Sequence, residues 1–476
     1  MKAPFSSYLM RIAPGLKQLV AYLSTKYDFV SLLSTDNVGF SVRVSPHAKS
    51  VATETLCTER GSVIRVCRAG LYAEYSLNEF DSAQPEYEAA KIEKALDEQY
   101  RLLSSLGISP YKTAILTDEP QTCFIEMETE RLPEAEDLPA LVERLSTLAE
   151  NATRENSLTD CSLSAQSTHV SKLFLTCNRD LRQSYVYSEA SCMPVSSLDG
   201  RTEMGYTGLS GRCGPELFVD IPIKLTEALS DLQDLLRSEP IIPGEYEVIC
   251  DPEVAGLLAH EAFGHGVEMD MFVKGRAMGA DYIGKRVASD LVTMHEGAES
   301  CIQVASYAFD DEGTSAGDVV EIDHGILKTG ICDALSALRL GSVPTGNGKR
   351  ENYEHKVYTR MTNTLFSPGK HKVEEMIASV KYGYLLRGCE SGMEDPKHWG
   401  IQCIVQRGYE IKDGKLTGKV VAPVIMTGYV PDLLCSITMA SQKAEAFGTG
   451  YCGKGTKEWV KVSDGGPYLK ARARLG

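Results

Sequence analysis

Hydrophobic and polar positions alternate over much of residues 29–80, as in the stretches VGFSVRV and GSVIRVCRAGLYAEYSL. This period of two, together with many Val, Thr, Ser and Tyr residues, predicts paired β-strands. We place turns of this region at Asp36-Asn37 and Arg60-Gly61. From Pro85 the pattern changes to PEYEAAKIEKALDEQYRLLSSLG, where the early proline, the early acidic residues and a closing Gly107 predict a helix.

The same two patterns recur as far as residue 240. One helix is predicted from about Glu134 to Glu150 and another from about Ile223 to Arg237. Between them, HVSKLFLTCN and QSYVYSEASCMPVSS have the alternation of strands. The prolines and glycine of SEPIIPGEY then predict a domain boundary near residues 238–244. Residues 1–240 are therefore expected to form an N-terminal α+β domain.

The second half, residues 241–476, begins with an apolar strand, YEVIC, and one helix that has Asp251 as N-cap and Pro252 as its first residue. After this helix the chain is mostly short strands and glycine-rich turns. Two hairpins are predicted, with turns at His324-Gly325 and Asp413-Gly414. We expect a β-rich domain, an antiparallel sheet or barrel-like structure that carries one prominent helix, and an α+β fold class for the chain.

The composition argues against some classes of function. The 476 residues are 43% hydrophobic and 24% charged, as in a globular protein, and 65 acidic against 49 basic residues give a net charge of −16. A charge of this sign opposes binding to nucleic acid or to an anionic membrane surface. The fourteen cysteines form no tight framework, and Arg11, Pro14 and Lys17 interrupt the first apolar stretch. These features favour a cytoplasmic protein.

The stretch HEAFGH, residues 260–265, carries the first candidate chemistry. It resembles the zinc-peptidase motif H-E-x-x-H, but its histidines are five residues apart instead of four. In a regular helix this spacing turns the second side chain roughly 140° away from the first. A π-type turn, with an i to i+5 hydrogen bond, would align His260 with His265, and Gly264 would tolerate the distortion. The alternative is two unrelated histidines on different helix faces, one of them packed in the core.

A catalytic zinc needs a third protein ligand besides two histidines. Glu268 and Asp270 are candidates by spacing, although each also fits an ordinary acid at a helix end or in a loop. Cys452, in the glycine-rich stretch GTGYCGKGT, is a more distant candidate. That stretch also approaches the phosphate-binding pattern G-x-x-x-x-G-K-[ST], but Gly455 replaces the final Ser or Thr and only 21 residues follow it.

Other charged residues have ordinary interpretations beside functional ones. Lys349, Arg350 and Arg360 could contact a peptide carboxylate or carbonyl, but we interpret them as a solvated charged loop. The acids of residues 310–312 fit a turn better than a second metal site. The remaining isolated histidines are expected at the surface or in turns: His47, His169, His324, His355, His371 and His398.

Several separate stretches, in order, give the chain a specific resemblance. HEAFGHGVEMD, PTGNGKRENYEH, RMTNTLFSPG and GTGYCGKG together are similar to the TldD/PmbA family of metallopeptidases, and in particular to its TldD-like, metal-bearing branch. The resemblance is clearest from about residue 243 to 456 and is fainter before it, where it depends mainly on SSLDGRTEMGYTG. The stretches VSDGGPYLKARARLG and GMEDPKHWG depart from the family pattern.

The resemblance implies a set of roles for individual residues. His260, His265 and Cys452 would bind one Zn²⁺ per chain, and Glu261 would be the catalytic acid/base. It also implies hydrolysis of unfolded peptides or small, poorly structured proteins inside a dimer, formed with a second copy or with a PmbA-like subunit. The alternative is a catalytically inactive scaffold or regulatory subunit of such a complex.

Overall fold

The first half of the chain forms one nine-stranded sheet in the computed structural model, which describes residues 1–53, 59–106, 111–455 and 458–476. Six strands follow one another in the order β4-β3-β1-β6-β7-β5, while β2 pairs with β1, and β8 and β9 pair with β7. The strands are β1 (Phe29–Val44), β2 (Lys49–Ala52), β3 (Arg60–Arg68), β4 (Leu71–Leu77), β5 (Gln121–Glu126), β6 (Asp160–Leu175), β7 (Arg179–Leu198), β8 (Arg201–Met204) and β9 (Thr207–Gly211).

Four helices cover one face of this sheet: α1 (Ser7–Leu23), α2 (Pro85–Ser105), α3 (Leu138–Glu155) and α4 (Ile221–Leu236). Alternate residues of β1 explain the arrangement, since side chains two apart share a face. Leu32 packs with α1 and α2, and Phe40 packs with α3 and α4. Leu33 points to the other face and packs against Phe309 of the second half. The first sheet therefore lies between its helices and the second half of the chain.

The second half contains fifteen strands among the described residues, most of them in an eleven-stranded sheet. Two short ribbons, β14 with β15 and β22 with β23, stand apart from it. The strands are β10 (Gly244–Cys250), β11 (Met294–Glu296), β12 (Val319–Asp323), β13 (Ile326–Leu327), β14 (Gly348–Lys349), β15 (Tyr358–Thr359), β16 (Asn363–Phe366), β17 (Tyr382–Asp395), β18 (Gly400–Lys412), β19 (Lys415–Val421), β20 (Val424–Tyr429), β21 (Met439–Phe447), β22 (Tyr451–Lys454), β23 (Glu458–Lys461) and β24 (Ser463–Leu475).

Five of these strands close into a ring, which confirms the barrel-like expectation. β10 pairs with β17, β17 with β18, β18 with β20, β20 with β24, and β24 pairs back with β10. The β10–β17 pair is parallel and the other four are antiparallel, so the barrel is mixed. The helix α5 (Pro252–Leu257) follows β10 and packs against β17 and β24.

Most of the predicted elements are confirmed, with small shifts at their ends. The helix from Pro85 runs to Ser105, and Gly107, predicted to close it, lies outside the described residues. The predicted second helix begins at Leu138, after a 3-10 turn over Pro133–Ala135. Both predicted hairpin turns are present, and their four central residues all have positive φ angles: His324, Gly325, Asp413 and Gly414.

Three expectations about the fold were wrong. Asp36-Asn37 and Arg60-Gly61 are not turns but lie inside β1 and β3, where Asp36 pairs with Arg60. The polar residues fit there because the strand ladder satisfies their backbone and Arg60 Nε donates to Asp36 Oδ1 at 2.9 Å. The prominent helix is also not the only one in the second half, where the described residues form four more short helices: α6 (Met269–Val273), α7 (Ala334–Leu340), α8 (Val373–Ala378) and α9 (Val430–Cys435).

Two further features bear on the expected organisation. Residues between α4 and β10 join the two sheets, but the division into domains 1–240 and 241–476 remains a prediction. Within the described ranges, each helix is too short or too polar to cross a membrane.

Candidate metal centre

The helix that carries HEAFGH changes its geometry within the motif. Asp251 caps it by accepting from the Val254 N–H at 2.9 Å, and α5 then continues as a π-helix over Leu258–Gly264. The N–H of His265 donates to the carbonyl of His260, which is the i to i+5 hydrogen bond expected from the spacing. The predicted distortion is therefore confirmed.

Gly264 is needed in this turn because another side chain occupies the space of its missing Cβ. A Cβ at position 264 would lie 2.2 Å from Met361 Sδ, far inside van der Waals contact. Met361 is fully buried and packs with Cys452 in the same small core cluster. The glycine thus lets the strand region around Met361 approach the π turn.

The π turn brings His260 and His265 together with Cys452. One possible ligand atom from each of the three lies within 4.8 Å of the others, and Cys452 Sγ is 3.4 Å from His265 Nε2. With zinc–sulfur and zinc–nitrogen bonds of about 2.3 and 2.0 Å, a tetrahedral site separates these two atoms by about 3.5 Å. Two imidazoles and a thiolate are a zinc-type donor set, so the residues fit the metal.

The charge state of Cys452 also suits a ligand. Burial by itself would raise the pKa of this thiol, but the neighbouring His265 and His260 lower it well below its ordinary value. The thiolate is the form that binds metals. Cys452 is 5% exposed and lies on β22, which brings it to the π turn from nearly two hundred residues away.

A single carboxylate connects two of the three candidate ligands. Glu268 is 1% exposed, and its Oε2 accepts from His265 Nδ1 at 3.0 Å and from Lys454 Nζ at 3.1 Å. Burial opposes the charge, but Lys454 and His265 lower the pKa of Glu268 to about 2. Because Lys454 follows Cys452 by two residues, this carboxylate holds both ligand-bearing segments and leaves His265 Nε2 facing the thiolate.

Glu268 was considered as a ligand from its spacing, and the structure gives it this supporting position instead. Asp270, the other candidate, accepts from Lys454 Nζ at 2.7 Å and from Lys274 Nζ at 2.9 Å. Lys454 was missed in the sequence, although its position two residues after Cys452 was a usable signal. Because Lys454 is held by these acids, it is not free to bind a phosphate, and residues 451–454 form a strand, not a phosphate loop.

Glu261 lies beside the three residues without belonging to their donor set. It is half-buried, and burial raises its pKa while the charges of His260 and His265 oppose the rise. Its Cγ would be 2.6 Å from a Cβ at position 392, so Gly392 of β17 leaves room for this side chain. A carboxyl group of raised pKa next to a metal site has the properties of a general acid/base.

The interpretation of Lys349, Arg350 and Arg360 as a solvated loop was wrong. Arg350 is 8% exposed and Arg360 is 1% exposed, while Lys349 is half-buried. Burial of the two arginines is possible because their Nη donors find acceptors: Arg360 Nη2 donates to the Cys452 carbonyl at 2.6 Å, and Arg350 forms a bidentate pair with Glu74.

Two smaller expectations can now be compared with the structure. His169 is not a surface residue but is 5% exposed, with its Nδ1 2.7 Å from a Glu134 oxygen. The expected turn at residues 310–312 is present, since Asp310 Oδ1 accepts from the N–H groups of Glu312 and Thr314. The remaining isolated histidines are exposed or half-buried, as expected: His47, His324, His355, His371 and His398.

Comparison with known proteins independently supports the interpretation of this site as a metallopeptidase centre. Residues 243–473 match the family described as the PmbA/TldA metallopeptidase C-terminal domain. The second half of the chain therefore matches a domain of the TldD/PmbA family. A metalloprotease of Methanocaldococcus jannaschii is 35% identical over 249 residues, which are 52% of this chain and 54% of that protein. A zinc metalloprotease TldD homolog of Saccharolobus solfataricus is 30% identical over 261 residues, 52% of this chain and 56% of that protein.

The chain thus spans about half the length of these TldD/PmbA relatives. The structural similarity to solved proteins covers more of the chain than the sequence similarity to these two relatives does. TldE from Thermococcus kodakarensis superposes with a TM-score of 0.74 over 97% of this chain and 100% of its own, at 18% identity. At that identity the likeness shows a shared fold for both halves and nothing about activity.

Proposed function

We propose that this chain is a zinc-dependent peptidase, with one zinc per chain held by His260, His265 and Cys452. The observation that carries the proposal is the π turn, which sets two imidazoles against a thiolate and leaves the neighbouring Glu261 outside the donor set. The names of the relatives, metalloprotease and zinc metalloprotease, support the same reaction class.

Zinc in this site would supply Lewis acidity, which activates water and polarises the peptide carbonyl. Glu261 would take the proton from the attacking water on a carboxylate oxygen and then deliver it to the nitrogen of the leaving amine. The raised pKa of Glu261 favours this carrier role, because its carboxyl can hold the proton between the two transfers. Glu268 and Lys454 would keep His265 and Cys452 in place without touching the substrate.

Unfolded peptides or small, poorly structured proteins are the substrates we propose. We also propose a cytoplasmic dimer, formed with a second copy or with a PmbA-like subunit. The free state of the thirteen cysteines among the described residues is compatible with a reducing compartment.

The decisive comparison is between wild type and Glu261→Gln, with a casein-type unfolded substrate and zinc supplied. We expect the substitution to lower the hydrolysis rate about 10²–10⁴-fold while zinc content is unchanged, because Glu261 carries the proton but is not a ligand. Glu374→Gln, an exposed glutamate on α8, is the matched control and should hydrolyse as wild type does. An inactive scaffold would instead show no zinc-dependent hydrolysis in wild type, or none that Glu261→Gln removes.

A further inference from the structure

Lys349 differs from the two buried arginines near it. Both arginines donate hydrogen bonds through their Nη groups, Arg350 to the Glu74 carboxylate and Arg360 to the carbonyls of Cys452 and Glu458. Lys349 has no carboxylate within ion-pair distance anywhere in the described ranges. Its Nζ donates to the Lys461 carbonyl at 2.6 Å and, weakly, to the Met361 carbonyl at 3.4 Å. An ammonium has three donors, so this cation keeps capacity for an anion.

This lysine borders a cavity of about 80 Å³ between the first sheet and the β22–β23 ribbon. Since one water needs roughly 10–15 Å³ of such volume, the space can hold a carboxylate group with a few waters. Arg350 lines the same cavity, and its buried Nε has no hydrogen-bond partner among the residues that the structure describes. The cavity thus offers two incompletely used cationic groups.

Two of the acidic residues that line the cavity, Asp311 and Glu59, do not cancel these cations. Asp311 is already paired with Lys172, and its second oxygen accepts the Arg350 N–H at 2.8 Å. Burial raises the pKa of Glu59 to about 8, so at neutral pH this carboxyl is mostly uncharged. Burial lowers the pKa of Lys349 to about 8, which still leaves the ammonium mostly charged at pH 7.

The cavity lies close to the candidate metal centre along one ribbon. Lys461, whose carbonyl accepts from Lys349, is paired with Tyr451, and the next pair is Cys452 with Val460. With about 3.3 Å per residue and about 4.8 Å between strands, the ammonium is on the order of 10 Å from the thiolate. An extended peptide covers that distance in two or three residues.

We propose that this cavity binds a carboxylate of the peptide substrate, two or three residues from the scissile bond, through Lys349 Nζ with Arg350 Nε as a second donor. The inference rests on the proposed peptidase function and narrows its substrate class. The carboxylate can be the C-terminus of a short peptide or an Asp or Glu side chain, since both present the same group. Lys349 would then determine specificity and take no part in the proton transfers.

Binding can be measured without turnover in the full-length Glu261→Gln protein loaded with zinc. The probes are three pentapeptides labelled at the N-terminus with a fluorophore. Two share one sequence, as a free acid and as a C-terminal amide, and the third is the amide with glutamate as its last residue. We expect fluorescence anisotropy to give about tenfold tighter binding for the free acid than for the plain amide. The glutamate amide separates the two sources, because it matches the free acid only if a side-chain carboxylate also reaches the cavity.

Three additional substitutions test the assignment to Lys349. Lys349→Met should remove the preference for the free acid, and Lys349→Arg, which keeps the charge, should retain it. Lys419→Met, at a half-buried lysine paired with Glu239, should leave it unchanged. Equal affinity of Lys349-containing protein for free acid and both amides would overturn the carboxylate site, even if wild type hydrolyses all three peptides. Hydrolysis of none of them by wild type would count against the peptidase function itself.

Discussion

The protein contains two buried clusters of charged side chains, and they differ in whether their charges are paired with each other or left available to a ligand. The inter-sheet cluster, formed by Arg65, Glu74, Lys172, Asp311, Glu312 and Arg350, joins the first sheet to loops of the second half. The metal-centre cluster is formed by His260, His265, Cys452, Glu268 and Lys454. In the first cluster every charge is matched by another side chain. In the second, three donor atoms face one another, and we propose that a metal ion would match them.

The difference shows what each cluster can contribute. Arg65 Nε binds Glu74 at 2.7 Å and its Nη1 binds Glu312, so one guanidinium joins two carboxylates, and Arg350 binds Glu74 as well. Such a network holds two parts of the chain in register but leaves no donor set for chemistry. At the metal centre, the supporting pairs are placed behind the ligands, and the ligand atoms themselves are left available.

Replacement of Arg65 by methionine should have the largest effect on the folded state. It leaves Glu312 and Glu74 buried with fewer partners, and loss of one partner from a buried ion pair typically costs about 3–5 kcal/mol. Denaturant unfolding measures this loss. Arg68→Met, three residues along the same strand, removes a half-exposed pair with Asp97 and the contacts of Arg68 with the Tyr27 and Tyr100 rings, and it should cost less than Arg65→Met. If zinc affinity of the folded Arg65→Met protein fell as well, the two clusters would not be independent.

Glu268→Gln should affect the metal-centre cluster, and the expected change in free energy is smaller. Amide in place of carboxylate weakens the hold on His265 and Lys454, and loss of such a supporting contact typically lowers metal affinity about 10–100-fold. Competition with a chelator of known affinity measures the change. Asp270→Asn, which also loses a contact to Lys454 but none to a ligand, should have a smaller effect. Equal losses in the two variants would assign the support to Lys454 alone.

The pH dependence of Glu74 should give the smallest effect. Burial would raise its pKa, but Arg65 and Arg350 lower it to about 2, below the ordinary 4.5. Its contribution to stability is therefore fully present above about pH 4.5 and is lost as the pH falls towards about 2. The difference in unfolding free energy between wild type and Glu74→Gln should shrink by at most about 1.4 kcal/mol per pH unit in that range. A difference that stays constant from pH 7 to pH 3 would contradict this role.

The two clusters also differ in how far the sequence predicts them. The spacing of His260 and His265 predicts the π turn because five residues cannot align on a regular helix, and the structure has that turn. The contact with Cys452 came from resemblance, since no local pattern connects residues so far apart. Arg65 and Glu312 give no signal at all, because a buried ion pair between distant segments leaves no spacing to recognise.

The same reasoning explains the errors. Asp36 and Arg60 have the polarity of turn residues, yet they pair with each other across two strands, where buried Asp36 accepts a hydrogen bond from Arg60, which stays exposed. Lys349, Arg350 and Arg360 look like a charged loop, and only the positions of Glu74 and of the Cys452 carbonyl show why they are buried. Three of the four helices of the first half were predicted because their periodicity is local, whereas α1 was not predicted and the barrel closes through the pairing of the distant strands β10 and β24.

The central claim is that Cys452 completes a zinc site with His260 and His265. It is tested most directly by metal analysis of wild type, Cys452→Ala and Cys435→Ala after dialysis against a moderate chelator, with Cys435 as an exposed control cysteine. We expect one zinc per chain in wild type and in Cys435→Ala, and almost none in folded Cys452→Ala. Retention of one zinc with unchanged affinity in Cys452→Ala would contradict the account.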